Sequence, residues 1–339
     1  MFFIYTTLPT RSKEDAVAAL KNFYEGKKLL PSNFMENNRV EAIQPMYVPF
    51  WLFDVDVYLQ AEFHTEKIKK ETHDPLIGSK YTTTEKRFFR SRRAFKMRFE
   101  KIPADGSKKM DDDYMDSIEP FDFGELVPFS AAYMAGYLAD KYDVSARECL
   151  PRIDERLKNT MMELVTNNVK ETFYGRDDII ELKDLEVDQH KHTTYLMVPV
   201  WILTTRYEDK PYTFMMNGQT GKVVGELPYD GDKALFYPAW EASWLPILYF
   251  IVAFTDDSGE MFNPLGILFL FIYFGAYFSI KRSSLIAKLK NIAHATKAAD
   301  YLKKDSVELV ESHDKFLIYE FWRNDTLKEA SDDPNKGSF

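Results

Sequence analysis

The sequence predicts an α+β fold: antiparallel sheets with packed helices in two duplicated halves, then a transmembrane helical hairpin and a short α/β tail. Three observations carry this. Long alternating apolar segments stand beside segments of helical periodicity; the hexamer VPFWLF from Val48 has a near-copy, VPVWIL, from Val198; and two apolar runs lie towards the C-terminal end. The 339 residues have room for one large domain or two ordinary ones, and 45% apolar residues suffice for a sizeable core. The expected boundaries are 1–125 and 126–233 for the two halves and 236–280 for the hairpin. Residues 281–339 are expected to hold a basic amphipathic helix, a β-hairpin and a disordered tail.

The chain opens on a predicted short strand, Phe2 to Thr6. Ser12 followed by Asp15 is a capping-box pattern, in which the hydroxyl satisfies a free N–H of the first helical turn. Ala16, Val17, Leu20 and Phe23 then form one apolar helical face, and Gly26 supplies a stop. In the strand opened by the first hexamer, Trp51, Phe53, Val55, Val57 and Leu59 project to one side. Asp54, Asp56, Gln60 and Glu62 project to the other, as in a half-buried strand. A second long strand is expected from Tyr81 to Ile102.

Asp111 to Val144 reads as short helices and turns, with Asp111-Asp112-Asp113 at a helix N-terminus, where carboxylates offset the positive end of the dipole. A longer helix follows, with Pro151 in its first turn and Ile153, Leu157, Met161 and Leu164 on its core face. Thr213 to Gly225 reads as a hairpin in which Asn217-Gly218 supplies positive φ angles. Proline cannot donate to a ladder, so each hexamer is expected to start a strand, with its tryptophan on the core face.

Met261 to Ile280 is a run of 20 residues without a charge, enough to cross a hydrocarbon core. The upstream run Ala242–Thr255 reaches a full span when extended back through Trp240 and Tyr237, at the cost of Glu241. A helical hairpin satisfies the backbone polar groups of both within lipid. Lys281, Arg282, Lys288, Lys290 and Lys297 follow the second run, whereas the connecting loop DDSGEM is acidic. The positive-inside bias then places the N- and C-terminal parts on the cytoplasmic side of the membrane. After the hairpin, Leu285, Leu289, Ile292 and Thr296 line one face of a basic helix, suited to an anionic leaflet or to docking on the soluble part.

Several stretches resemble a family of uncharacterised bacterial membrane-anchored proteins that usually carry an N-terminal zinc ribbon. They include KEDAVAALKNFYEGKKLLP, YVPFWLFDVDV, MDSIEPFDFGEL, LADKYDVSARECLPRIDER and YTFMMNGQTGKVVGELP. The resemblance implies a cytosolic α+β domain on C-terminal transmembrane helices, of unknown molecular function. The chain has one cysteine, Cys149, and so no C-x-x-C pair. Zinc is expected only if a ribbon is encoded upstream of Met1; no other cofactor is expected.

Candidate chemistry is sparse. NGQTGKVV lacks the spacing of a phosphate-binding loop and reads as a turn. Asp188, His190 and His192 share one face of a strand and are the weak metal candidates, although such a face is also an ordinary solvated one. Cys149 lacks a base beside it and reads as a buried structural thiol. The most suggestive feature is KRFFRSRRAFKMRFEK, which places Arg90, Arg92, Lys96 and Arg98 on one strand face and Phe89, Phe95, Met97 and Phe99 on the other. With Lys281, Arg282, Lys288 and Lys290, these cations are the candidate contacts for anionic lipid or a cytoplasmic protein partner. The net charge of −9 and core-facing aromatics argue against nucleic acid. The expected function is a membrane-anchored interaction or scaffold protein, not an enzyme. A membrane-tethered, nucleic-acid-linked regulator and an enzyme of unrecognised type are the alternatives.

Overall fold

The computed structural model describes residues 4–37, 40–73, 81–173, 179–255 and 264–325. Among them a mixed sheet of nine strands accompanies six helices, the α+β class expected from the sequence. In chain order they are β1 (Ile4–Thr6), α1 (Lys13–Tyr24), α2 (Ser32–Asn37), β2 (Val40–His73), β3 (Tyr81–Asp105), α3 (Asp112–Ser117), β4 (Val127–Pro128) and β5 (Leu138–Ala139). Then come α4 (Ala146–Thr172), β6 (Ile179–Tyr207), β7 (Lys210–Asn217), β8 (Val223–Gly225), α5 (Gly231–Thr255), α6 (Pro264–Ala287) and β9 (Glu308–Asp325). The strand order is β4-β1-β6-β2-β3-β9, with β5 on β2 and β7 between β6 and β8.

The chain packs as two compact units: 1–52, 103–150 and 194–295 form the first, and 53–102, 151–193 and 296–339 the second. In the first unit, α1 begins at the expected capping box. The Ser12 Oγ accepts from the Asp15 N–H at 3.2 Å, and Asp15 accepts from the Ser12 N–H at 2.9 Å. Its Ala16, Leu20 and Tyr24 are buried with Trp201, Leu203 and Phe214. Gly26, at φ +73°, turns the chain just past the helix. Ser145 and Glu148 make a second box at α4: Ser145 Oγ accepts from the Glu148 N–H at 3.4 Å, and Glu148 accepts from the Ser145 N–H at 2.7 Å.

The hexamers do not start strands, contrary to expectation. Pro49 lies within β2 and Pro199 within β6. The reason is how their neighbours end. Parallel β1 pairs with β6 only as far as Thr6 opposite Met197, and parallel β5 with β2 only as far as Ala139 opposite Tyr47. Two residues further on, each proline turns its nitrogen to the same side, where no ladder partner requires an N–H.

Around each proline runs the same chain of hydrogen bonds. Gly106, directly after β3, donates its N–H to the Pro49 carbonyl at 2.8 Å, and its own carbonyl accepts from Asp143 and Val144. The Trp51 Nε1 then donates to the Val144 carbonyl at 3.0 Å. In the second copy, Gly218, directly after β7, donates to the Pro199 carbonyl at 2.9 Å, and its carbonyl accepts from Thr10 and Arg11. The Trp201 Nε1 donates to the Arg11 carbonyl at 3.2 Å. Val144 and Arg11 each precede the serine of a capping box. Each tryptophan therefore steadies the helix that belongs, in chain order, to the other hexamer.

The hairpin of β7 and β8 forms as expected, with Phe214 opposite Gly225. Its positive φ angle falls on Gly221 at +79°, not on Asn217-Gly218. Gly218 answers instead to crowding, since a Cβ there would stand 2.7 Å from the Pro199 oxygen.

The second unit buries the expected face of β2, with Val55, Val57 and Leu59, together with Phe95, Met97 and Phe99 of β3. The α4 face buried here is Ile153, Leu157, Met161, Val165 and Val169. Leu164 is only half-buried, because the 3.6-residue repeat brings Val165 onto the core side. Pro151 lies in the second helical turn, since the Ser145 box starts the helix earlier than expected. The stretch from Ser306 to Trp322, expected as a hairpin, instead runs from Glu308 on as a single strand, β9, antiparallel to β3 from Lys96 to Tyr81. The expected disordered tail lies outside the described residues.

Arg93 is the anchor of β9, and the sequence reading passed over it. Its side chain is fully buried and meets both Asp314 oxygens at 2.9 and 3.0 Å, with Asn168 accepting from its Nε at 3.0 Å. Burial opposes ionisation of Asp314, but hydrogen bonds from Arg93 and Ser91 and the Arg93 charge outweigh it and hold the carboxyl below its usual value.

Candidate functional site

The candidate cations fall into two groups. On β3, Arg90 and Arg92 both reach Glu62 of β2, at 3.3 and 2.8 Å, and Arg98 pairs with Asp56 at 3.1 Å and Glu100 at 3.0 Å. The Arg92 hydrogen bond, chiefly, keeps Glu62 below the ordinary carboxylate range. This face is therefore largely paired within the protein, and Phe95, Met97 and Phe99 are buried behind it as expected. Lys96 and Arg98 line a cleft of about 370 Å³ with Asp56, Asp188 and His190. Among the described residues no group of three His, Cys, Asp or Glu side chains is placed to hold a metal ion, so Asp188, His190 and His192 are not brought together as ligands.

The second group surrounds the hairpin. Helices α5 and α6 pack against each other, and each carries a 24-residue stretch long and apolar enough to cross a membrane. Almost none of either stretch is buried: Trp240, Trp244, Phe254, Leu265, Phe271 and Ile272 are all more than half exposed. A helix packed into a soluble core would hide such surface. The acidic connecting loop lies outside the described residues.

Where the apolar stretch of α6 ends, charge begins. Lys281 Nζ lies 2.5 Å from one Glu241 oxygen, and Lys28 Nζ lies 3.3 Å from the other. The intrahelical glutamate that weakens α5 as a span is thus neutralised from both sides. Two turns further on, the Lys27 Nζ donates to the Lys288 carbonyl at 2.6 Å, a cation at the negative end of a helix. Lys28 Nζ lies 5.9 Å from the Tyr237 ring centre and Lys27 Nζ 5.1 Å from that of Phe23, within reach of a cation–π attraction. These four lysines, with Glu25 and buried Leu285 and Leu289, enclose a pocket of about 210 Å³. Arg282 sits beside it in sequence, and its buried Nε has no hydrogen-bond partner among the described residues. Lys290 is set apart, 3.6 Å from Glu226.

Beyond Ala287 the expected basic helix is absent. Asn291 accepts from the Gly225 N–H and donates to the Val223 carbonyl, both at 2.8 Å; Ser117 accepts from Ala293 at 2.8 Å and Asp116 from Ala295 at 3.0 Å. Ser117 and Asp116 thus take backbone N–H groups that a helix would have paired internally, while Asn291 ties the segment to the backbone of β8.

Lys27 and Lys28 were not among the sequence candidates. The only signal was their place in KNFYEGKK, and nothing local ties them to residues some 250 positions away.

No family model matches the chain, and no solved structure matches it. The chain is similar to the uncharacterized protein YdjG of Bacillus subtilis (strain 168), at 34% identity over 229 residues. That match covers 66% of this chain and 63% of the relative, so the chain spans less than two thirds of the relative's length. The likeness is to an uncharacterised bacterial protein, the coarse content of the resemblance drawn from the sequence.

Proposed function

We propose that this chain is a membrane-anchored interaction protein whose α+β part faces the cytoplasm, held by the α5–α6 hairpin. The supporting observation is the hairpin itself, apolar on nearly all exposed sides, with aromatic Tyr237, Trp240 and Trp244 towards the end where the lysines gather. Lipid satisfies such a surface, water does not, and the lysines at one end give it a direction. The α+β part is the portion that meets partners. The scaffold role and the cytoplasmic orientation belong to this proposal.

Topology is tested by thiol labelling in intact bacteria, in a Cys149→Ala background. Ser258→Cys in the loop is expected to react with a membrane-impermeant maleimide, and Lys21→Cys on the exposed side of α1 is expected to react only after lysis. Release of the chain into the carbonate-washed supernatant, or labelling of Lys21→Cys from outside, would overturn the reading.

A further inference from the structure

We infer that the lysine pocket at the end of the hairpin is a binding site for the phosphate of an anionic lipid headgroup. This rests on the membrane-anchored reading above and adds a ligand class to it. Four features of the first unit point there.

The first is depth. From Leu265 to Ile280 the apolar run of α6 rises roughly 24 Å at 1.5 Å per residue. Lys281 is the first charge after it, and Lys288 lies two turns on. The pocket therefore opens at the level where headgroups begin, while the hairpin flank below it is apolar and exposed.

The second is charge. Among the described residues, Glu25 lines the pocket and Glu241 pairs with Lys28 and Lys281, two carboxylates against four lysines, which leaves an excess of positive charge. Among the described residues no carboxylate lies within 4.0 Å of the Lys288 ammonium. Lysine serves phosphate well as a compact cation with three donors.

The third is preorganisation. The Lys27 ammonium is fixed by the Lys288 carbonyl, and Lys28 and Lys281 are fixed by the same glutamate, so the positions are set before a ligand arrives. The fourth is the floor. Buried Leu285 and Leu289 close the cavity, and the carbonyl that Lys27 occupies is no longer free to repel an anion. An acidic protein segment offers the same charge, but it does not approach from the lipid side, where this pocket meets the hairpin.

The test uses the full chain purified in a neutral detergent, with thermal unfolding followed as lipid is titrated. Phosphatidylglycerol is expected to raise the midpoint saturably, phosphatidylcholine and inorganic phosphate are not, and Lys288→Gln is expected to weaken the apparent phosphatidylglycerol affinity at least fivefold. The Lys288 side chain is exposed and, among the described residues, donates no hydrogen bond, while Lys27 holds its backbone carbonyl, so this variant tests the site without unseating Lys27. Lys27→Gln is expected to weaken it further. Lys21→Gln, an equal loss of charge on the exposed side of α1, is expected to leave it unchanged. Equal protection by inorganic phosphate would make this a free-anion site, and competition by a polyglutamate peptide would make it a protein-docking site. An equal effect of Lys21→Gln would reduce it to bulk charge. Each result overturns the lipid assignment while leaving the anchor intact, whereas a chain that carbonate strips from membranes overturns the anchor itself.

Discussion

The two V-P-x-W sites share one hydrogen-bond plan and differ in how tightly it is packed. At Pro199, a Cβ on Gly218 would meet the proline oxygen at 2.7 Å and its Cβ at 2.9 Å; at Pro49, a Cβ on Gly106 would meet Trp51 Nε1 at 3.3 Å and the proline oxygen at 3.4 Å. Trp201 is 6% exposed beside Tyr137, whereas Trp51 is only half-buried between Tyr142 and Tyr195. Identical bonding thus carries different weights, because burial decides whether water can replace a lost partner. We propose that the two copies descend from one duplicated unit with boundaries near 1–125 and 126–233. In each copy the capping serine, Ser12 or Ser145, lies six positions after the last paired residue of the short strand, Thr6 or Ala139.

The largest expected contrast lies at the glycines. Gly218→Ala should cost about 3 kcal/mol and Gly106→Ala about 1 kcal/mol, the spread expected for crowding a packed site. Equilibrium unfolding of both variants checks this, and equal losses would mean that the close approach at Pro199 is not rigid.

Next come the indoles. Trp201→Phe should cost about 1.5 kcal/mol and Trp51→Phe about 0.5 kcal/mol, since Trp201 is the more deeply buried indole and its loss leaves the tighter packing disrupted. The capping serines should be alike at about 1 kcal/mol each for Ser12→Ala and Ser145→Ala.

The crosswise wiring makes a sharper demand. Trp51→Phe should be non-additive with Ser145→Ala by about 0.5 kcal/mol and additive with Ser12→Ala. The reverse pattern would break the reciprocal arrangement.

The smallest effect is in acid. Backbone and side-chain hydrogen bonds from Ser12 hold Asp15 below its ordinary value, and those from Ser145 do the same for Glu148. A carboxyl depressed in the folded state adds stability above its unfolded pKa, and that contribution fades as pH falls through the folded one. Both boxes should therefore loosen together below about pH 4. Carboxyl carbon NMR titrations should show Ser12→Ala raising Asp15 only part of the way to the ordinary range, because the backbone N–H that chiefly lowers it remains, and leaving Glu148 unmoved.

Arg93 and Asp314 show where sequence reading stops. Arg93 stood in a run of arginines, and its phase on β3 turns it away from Arg90, Arg92 and Arg98 towards the interior. Alternation reveals that phase, but a buried arginine is tolerated only when a carboxylate arrives to meet it. Asp314 lies 221 positions away, and no local pattern announces it. The proline error has the same origin. Pro49 and Pro199 obey the rule against ladder donation, but the rule is met by neighbouring strands that stop short, which the hexamers themselves do not encode.

What the sequence determined by itself was everything that depends on adjacent residues. The alternation of β2 and β3, the Ser12 box, the acidic start of α3 and the two apolar helices are written within a few turns or strand repeats. Tertiary structure decided which tryptophan holds which helix, where the chain leaves helix after Ala287, and that Lys27 and Lys28 join Lys281 and Lys288. Local periodicity follows from the backbone's own repeat, whereas these partners meet only once a shared core has closed long loops and brought distant segments together.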